Sequence, residues 1–289
     1  MIIFEPEIGI KDYIKDQMVA FGYSYKDSSS YEDDLIKVFS LKRKIPESIP
    51  RTIIELPNIA IPNELRAGYD SLKKKITSGE SIKGHLSKSI VKTDYNDLLL
   101  NSWNIHHLHL SNIPSTSGFF ERTGPVLFAI FFKNVAVFID ILSHGIGCSD
   151  VWVNTNLIEK LHKYLPQSIA NFKLNNIRGE SYSPSEMRAL RSKHCNFTIQ
   201  VADGTVYGIM GLMSNGNSFF DIYAVMKIKS RIDYYNQVIN QEPDTFKKAL
   251  NIPIDSELLL TIAMDDNDIM LYAPAYKTAI NINNPLIGS

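Results

Sequence analysis

The sequence predicts an α+β fold, in which an antiparallel sheet with flanking helices follows a mostly helical N-terminal region. In the first ninety residues, apolar side chains recur at the three-to-four-residue spacing of amphipathic helices. From residue 105 onward, paired apolar runs separated by short polar turns are typical of β-hairpins. Helix-capping residues lie between those hairpins, so this second part is expected to combine a sheet with helices.

The N-terminal region is expected to contain helices over residues 8–21 and 31–45. The second begins with the acidic run 32–34, and acidic side chains stabilise a helix N-terminus. A third helix is expected from Pro62 through Lys75, because proline is favoured in the first helical turn.

A domain boundary is expected within residues 77–92, which begin with Thr77-Ser78-Gly79-Glu80-Ser81 and are typical of a flexible connector. Residues 1–92 are therefore predicted to form a helical region that offers a surface to a partner protein or to a second copy. Residues 93–289 are predicted to form the α+β domain.

The predicted α+β domain contains hairpins and capped helices. Its clearest helix signal is a capping box in which Ser183 and Glu186 satisfy each other's backbone N–H groups. The predicted strands are 105–110, 125–132, 135–142, 196–201, 205–210, 258–264 and 269–273, and the predicted helices are 150–165, 183–194 and 226–240.

Composition and charge favour no particular class of partner. Apolar residues make up 44% of the chain and charged residues 21%, and the net charge is −1. Residues 101–200 carry nine basic against six acidic side chains, an excess that suits an anionic ligand.

The chain is expected to be cytoplasmic and to have no membrane partner. Cys148 and Cys195 fit no metal or disulfide framework and are expected to be free thiols. We expect no signal peptide, since Glu5 and Glu7 directly follow the first apolar residues. The longest apolar run, residues 125–132, is too short to span a bilayer.

Four of the seven histidines, His106, His107, His109 and His144, fall within thirty-nine residues. If residues 105–110 form a strand, His107 and His109 share one face with their β-carbons about 7 Å apart, whereas His106 points to the other face. The pair His107 and His109 is therefore where chemistry is expected.

Three further residues are expected to approach this pair. Asp140 lies near the end of the strand 135–142, His144 follows in the next loop, and Arg122 precedes the middle strand. If the three strands are neighbours, these side chains meet at one end of the sheet.

Acid–base cleavage of RNA is the first chemistry that fits these residues. His107 and His109 would be general base and general acid, because imidazole titrates near neutral pH. Arg122 would stabilise a pentacoordinate phosphate, and His144 or Asp140 would orient the pair. No cofactor would be needed.

A divalent transition metal held by His107, His109, His144 and Asp140 is the second hypothesis. Imidazole and carboxylate suit zinc, iron or manganese, and the chain would then be a metal-dependent hydrolase or oxygenase. The longer metal signatures are absent, because Leu110-Ser111-Asn112 follows His109 where a metallo-β-lactamase has Asp-His.

A structural role for the histidines is the third hypothesis. The rings would then pack beside Trp103 and be satisfied by backbone hydrogen bonds. The chain would be a non-enzymatic binding protein, such as an antitoxin, an inhibitor or a sensor of phage components.

The central part of the chain contains the motif Trp103-x-Ile-His-His-Leu-His-Leu110. It is followed by Glu121-Arg122-Thr-Gly-Pro125, Phe138-Ile-Asp-Ile141 and His144-Gly145. It resembles a group of uncharacterised bacterial proteins that are often encoded on mobile or defence-associated elements. The order helix, histidine strand, hairpin is also similar to small ribonuclease toxins of the RelE/barnase-like kind. Since that family's motif is not matched residue by residue, no catalytic residue is transferred from it.

This resemblance implies a toxin-like or phage-defence ribonuclease. Such a protein is a hydrolase that binds RNA, and the N-terminal helices would offer it a protein-binding surface.

Overall fold

Helices and strands are mixed along the chain, and the computed structural model describes residues 1–26, 30–115, 118–209, 211–265 and 268–280. The strands are β1 (Ile2–Phe4), β2 (Thr52–Glu55), β3 (His106–His109), β4 (Pro125–Phe131), β5 (Val135–Ser143), β6 (Lys173–Leu174), β7 (Thr198–Gln200), β8 (Val206–Gly208), β9 (Leu258–Met264), β10 (Ile269–Ala273) and β11 (Thr278–Ile280). The helices are α1 (Pro6–Ala20), α2 (Tyr31–Lys44), α3 (Arg66–Ser78), α4 (Leu98–Trp103), α5 (Asn156–Tyr164), α6 (Pro184–Ser192), α7 (Phe219–Gln241) and α8 (Pro243–Ala249).

The predicted α+β class, with antiparallel sheets and flanking helices, is confirmed. The pairs β4–β5, β7–β8 and β9–β10 are antiparallel, as the hairpin signals predict. The capping box at the start of α6 also forms, since Ser183 and Glu186 each accept the other's backbone N–H. Met210, the last residue of one predicted strand, lies outside the described residues.

The chain divides into two compact units whose boundaries differ from the one expected near residue 92. The terminal unit consists of Met1–Ser40 and Phe220–Ser289, and the central unit is Leu41–Phe219. The difference arises because β1 pairs with β9, about 255 residues later in the chain. Local periodicity reports helices and strands but carries no signal for a partner so distant in sequence.

The terminal unit is built on a sheet with the strand order β1-β9-β10-β11. Strand β1 runs parallel to β9, and the other pairs are antiparallel. Helix α1 lies against β9 at Gly9, whose N–H donates to Thr261 Oγ1 at 3.0 Å. A β-carbon at Gly9 would lie only 1.6 Å from the carbonyl oxygen of Ile262, so the helix approaches the strand through this glycine.

The central unit contains a sheet with the strand order β2-β5-β4-β3, in which β2 is parallel to β5. The predicted helical N-terminal region therefore also contributes a strand here. A single apolar core joins this sheet to α5 and to the small sheet β6-β8-β7, and it includes Trp103, Phe128, Leu161 and Tyr207. The histidine strand β3 lies at the edge of the larger sheet.

Two neighbouring segments hold the end of β3. Gly68 on α3 approaches so closely that a β-carbon there would lie 1.7 Å from the carbonyl oxygen of Leu110. His85, in a 3₁₀ turn over Lys83–His85, donates from Nδ1 to the carbonyl of His109 at 2.8 Å. Residues 77–92, expected as a connector, thus begin with the end of α3 and contain two 3₁₀ turns, Lys83–His85 and Lys88–Val91, in which His85 and Ile90 are buried.

The helix predicted over residues 150–165 is interrupted. A 3₁₀ turn covers Ser149–Val153, and α5 begins only at Asn156. Asn154 accounts for the break, because its side-chain Oδ1 accepts the backbone N–H of Asn156 at 2.9 Å. As a result Trp152 leaves the helical stripe on which it was expected and faces the histidines.

Within the five described stretches of the chain, every helix is too short or too polar to cross a membrane.

Candidate active site

Strand β3 separates the three consecutive histidines as its two-residue period predicts. His107 lies opposite Phe128 on β4, and His109 lies opposite Val126. The ring centroids of His107 and His109 are 6.5 Å apart on the same face. His106 points away and packs against Phe131, with its ring centroid at 5.2 Å.

His106 is a packing residue. It is 5% exposed, and its Nε2 donates to the carbonyl of Arg43 at 2.9 Å. Burial lowers the pKa of His106 to about 4, so the ring is neutral at neutral pH. Nothing in this environment prepares His106 for proton transfer near pH 7.

His107 faces a carboxylate. Its Nδ1 lies 3.4 Å from Asp97 Oδ2, which is within ion-pair distance but longer than a typical hydrogen bond. Burial lowers the pKa of His107, and the negative charge of Asp97 opposes that shift. With Nδ1 turned toward Asp97, Nε2 is the nitrogen that can accept a proton from a ligand.

The His109 ring is fixed by one backbone hydrogen bond, at Nδ1. Since Thr123 N–H can only donate, His109 Nδ1 accepts it, at 3.1 Å. The ring is 1% exposed, and burial lowers its pKa to about 3, with the charge of Arg122 acting in the same direction. His109 is therefore neutral and enclosed, and the predicted role of general acid or base fits it poorly.

His144 completes the cluster as a half-buried side chain. Its ring centroid lies 5.2 Å from that of His109 and 5.7 Å from that of Trp152. Its Nδ1 donates to the carbonyl of Gly124 at 2.5 Å. That bond fixes the ring and leaves Nε2 for another partner.

Trp152 is the common neighbour of the cluster. Its ring centroid lies 4.9 Å from that of His107 and 5.7 Å from that of His144. The backbone of Trp152 is fixed by Arg191, whose guanidinium donates to the Trp152 carbonyl and, through Nη2, to Ser102 Oγ at 3.1 Å. Burial lowers the pKa of Arg191 to about 10.

Arg122 places a positive charge near His107 and His109. Its side chain is exposed, and its charge lowers the pKa of both His107 and His109. It also opposes the burial that raises the pKa of Tyr95 to about 12. The positive charge of Arg122 therefore acts on both histidines of the pair, His107 and His109.

Asp140 was expected to approach the histidines, and its carboxylate is paired with a lysine. Asp140 is on β5, where it lies opposite Phe128 of β4, and it forms an ion pair with Lys160 of α5 at 2.8 Å. The carboxylate that faces His107 is that of Asp97.

The hypothesis of a metal site draws no support from this arrangement. In the portion of the chain that the structure describes, no three or more His, Cys, Asp or Glu side chains are grouped so that they could hold a metal ion. The Nδ1 of His109 already accepts a hydrogen bond from Thr123 N–H, and the carboxylate of Asp140 already forms an ion pair with Lys160. A metal bound by His107, His109, His144 and Asp140 stays a prediction.

Sequence reasoning missed Asp97 and the role of Trp152. A signal for Asp97 was present, because an aspartate directly before Leu98-Leu99-Leu100 is typical of a helix N-cap just ahead of the histidine strand. Trp152 gave no such signal, since its direction depends on the break between the 3₁₀ turn and α5.

Comparison of the chain with protein-family models, with curated proteins and with solved structures finds no match. The function must therefore be inferred from the geometry and chemistry of the histidine cluster.

Proposed function

We propose that the central unit is a ribonuclease that cleaves RNA by acid–base catalysis at the cluster of Asp97, His107, His144 and Arg122. The observation that carries the proposal is the carboxylate of Asp97, 3.4 Å from Nδ1 of His107. A carboxylate that faces one nitrogen of an imidazole favours the tautomer with its proton on that nitrogen, and the other nitrogen can then act as a base.

His107 is the general base in this proposal. Its pKa is lowered by burial, so Nε2 carries a free lone pair at neutral pH. It removes the proton of a ribose 2′-hydroxyl, and the 2′-oxygen then attacks the adjacent phosphorus. The bond from phosphorus to the 5′-oxygen breaks, which leaves a 2′,3′-cyclic phosphate.

His144 is the general acid, in place of His109. Protonated on both nitrogens, it keeps its Nδ1 bond to Gly124 and gives the Nε2 proton to the leaving 5′-oxygen. Arg122 binds the phosphate and stabilises the charge of the transition state. His109 has a positioning role, since its ring lies against His144 and its Nδ1 is bound to Thr123.

Purified protein incubated with RNA in the presence of EDTA tests this proposal. His107→Ala and His144→Ala should each lower kcat/KM by about 10²- to 10⁴-fold, and Arg122→Ala by about 10²- to 10³-fold. His194→Asn, which changes a histidine outside the cluster, should keep full activity. Products ending in 2′,3′-cyclic phosphate are expected, and undiminished cleavage by His107→Ala would exclude this mechanism.

The biological role that we propose is that of a toxin or a phage-defence enzyme, in keeping with the resemblance noted from the sequence. Induced expression should stop cell growth with the intact chain and leave growth unaffected with His107→Ala. Equal growth with both chains would contradict a toxic activity of this cluster.

A binding protein is the second candidate, and the enclosure of His106 and His109 favours it. In that case the histidines are structural and purified protein leaves RNA intact. A stable complex with a protein partner, unaffected by His107→Ala, is then expected in a pull-down from infected cells.

A further inference from the structure

We propose that a cleft beside the histidine cluster binds the nucleobase of the nucleotide next to the cleaved phosphate. This inference rests on the proposed ribonuclease function, because it names the part of the RNA that is recognised there. The cleft lies in the central unit and has a volume of about 340 Å³, which falls in the range of ~300–1,000 Å³ typical of small-ligand pockets. Its lining includes Ser143, Cys148, Val151, Val153, Asn154 and Met187.

The cleft and the histidine cluster share one wall. Ser143 lines the cleft, and the next residue, His144, packs against His109 on the other side. Val151 and Val153 also line the cleft, whereas Trp152 between them contacts His107. Only these two segments of chain therefore separate the histidines from the cleft, and we place in the cleft the base next to a phosphate that lies at the histidines.

The lining matches the two surfaces of a nucleobase. Val151, Val153 and Met187 offer apolar contacts to a flat ring. The polar groups that line the cleft and can face the edge of a base belong to Ser143, Asp150, Asn154 and Thr155. Asn154 Oδ1 is already occupied by the backbone N–H of Asn156. Its amide Nδ2 is the group left to donate a hydrogen bond to an acceptor on the base.

The test measures binding of AMP, GMP, CMP and UMP by titration calorimetry, which needs no cleavage. The intact chain should bind one of the four at least about tenfold more tightly than the weakest, as expected for one good hydrogen-bonded base contact. Asn154→Asp keeps the acceptor for Asn156 N–H but removes the donor, and it should abolish this discrimination. Asn175→Asp, an exposed site with the same charge change, should leave it intact.

Alkylation of Cys148 locates the nucleotide. In a Cys195→Ser background, the preferred nucleotide at ten times its Kd should slow alkylation of Cys148 about tenfold, by simple occupancy. If Asn154→Asp does not fold, Ser143→Leu fills the cleft and should weaken binding of all four nucleotides.

Equal binding of the four nucleotides, unchanged discrimination in Asn154→Asp, or unprotected Cys148 would each overturn the inference. RNA left intact by a chain that still discriminates among the nucleotides would overturn the proposed ribonuclease function and leave a nucleotide site. The two failures are therefore distinguishable.

Discussion

Asp97 faces His107 with one oxygen of its carboxylate and caps the start of α4 with the other. Oδ2 lies 3.4 Å from Nδ1 of His107, and Oδ1 accepts the backbone N–H groups of Leu99 and Leu100 at 3.1 Å each. One side chain thus caps a helix and faces an imidazole. Substitution can separate the two roles, because asparagine caps a helix about as well as aspartate does.

Asp97→Asn is expected to lower RNA cleavage by about a hundredfold or more, since it removes the charge that orients and stabilises His107. Its free energy of unfolding in urea should stay close to that of the intact chain. Asp97→Ala should lose the same activity and, in addition, about 1 kcal/mol of stability through the lost cap. Full cleavage by Asp97→Asn would show that Asp97 only caps the helix.

The pH dependence of cleavage gives a second readout for Asp97. The negative charge of Asp97 raises the pKa of His107 against the effect of burial. Removing that charge therefore lowers the pKa of the base, and the acid limb of the rate profile should move to lower pH in Asp97→Asn. A limb that stays in place, measured as kcat/KM against pH, would rule out His107 as the titrating base.

The stability of the central unit is expected to fall in mild acid because of buried neutral histidines. The folded-state pKa is about 4 for His85 and His106 and about 3 for His109, with burial the main cause in each case. The unfolded chain has a histidine pKa of about 6.5. Below pH 6.5 these histidines bind protons in the unfolded chain but stay neutral in the folded chain. The stability that is present above pH 6.5 is therefore lost as the pH falls toward 4.

Urea titrations at several pH values between 4 and 7 measure this loss. Their slope should correspond to an uptake of about three protons by His85, His106 and His109 on unfolding, with a further contribution from His107, whose pKa burial also lowers. His106→Asn should lower the uptake by about one, whereas His194→Asn should leave it unchanged. A free energy of unfolding that is constant from pH 6.5 to 4.5 would contradict the enclosure of these rings.

Gly68→Ala is expected to destabilise the fold at the histidine strand. A β-carbon at Gly68 would meet the Leu110 carbonyl oxygen at 1.7 Å, so α3 must move away from β3. The expected loss is about 1–3 kcal/mol of the free energy of unfolding. Gly124→Ala is the matched control, because no heavy atom lies within 4 Å of its added β-carbon. Equal stability of the two variants would contradict the close packing of α3.

Arg191→Lys is expected to cost about 1–3 kcal/mol, because one ammonium cannot replace a planar guanidinium that bonds Trp152, Leu98 and Ser102 at once. Arg188→Lys on the same helix alters an exposed ion pair with Asp150 and should cost less than about 1 kcal/mol. Urea unfolding compares the two. If both variants lose the same stability, the buried guanidinium is not a special support of Trp152.

Much of the fold follows from short-range signals in the sequence. The turn Lys133-Asn134 lies between β4 and β5, and the capping box of Ser183 and Glu186 begins α6, as predicted. The same holds for the strand period that places His107 and His109 on one face. Each of these features depends on residues that are close together in the chain.

The rest of the site depends on residues that are distant in sequence or on broken periodicity. Asp140 was expected beside the histidines, and in the structure its carboxylate forms an ion pair with Lys160 of α5. The pairing of β1 with β9 and the turn of Trp152 toward His107 likewise leave no local pattern. Sequence alone therefore predicted that His107 and His109 share one face of a strand, but not that Asp97 is the carboxylate that faces His107.

The pairing of β1 with β9 has a consequence for the order of events during protein synthesis. Every residue of the central unit leaves the ribosome before Leu258–Met264, the strand that β1 requires as its neighbour. Domains generally fold as units while the chain is being made. The unit that carries the histidines can therefore assemble on the nascent chain before the strand that pairs with β1 has been made. Termination of translation between residues 219 and 258 would release a chain in which only the central unit is complete.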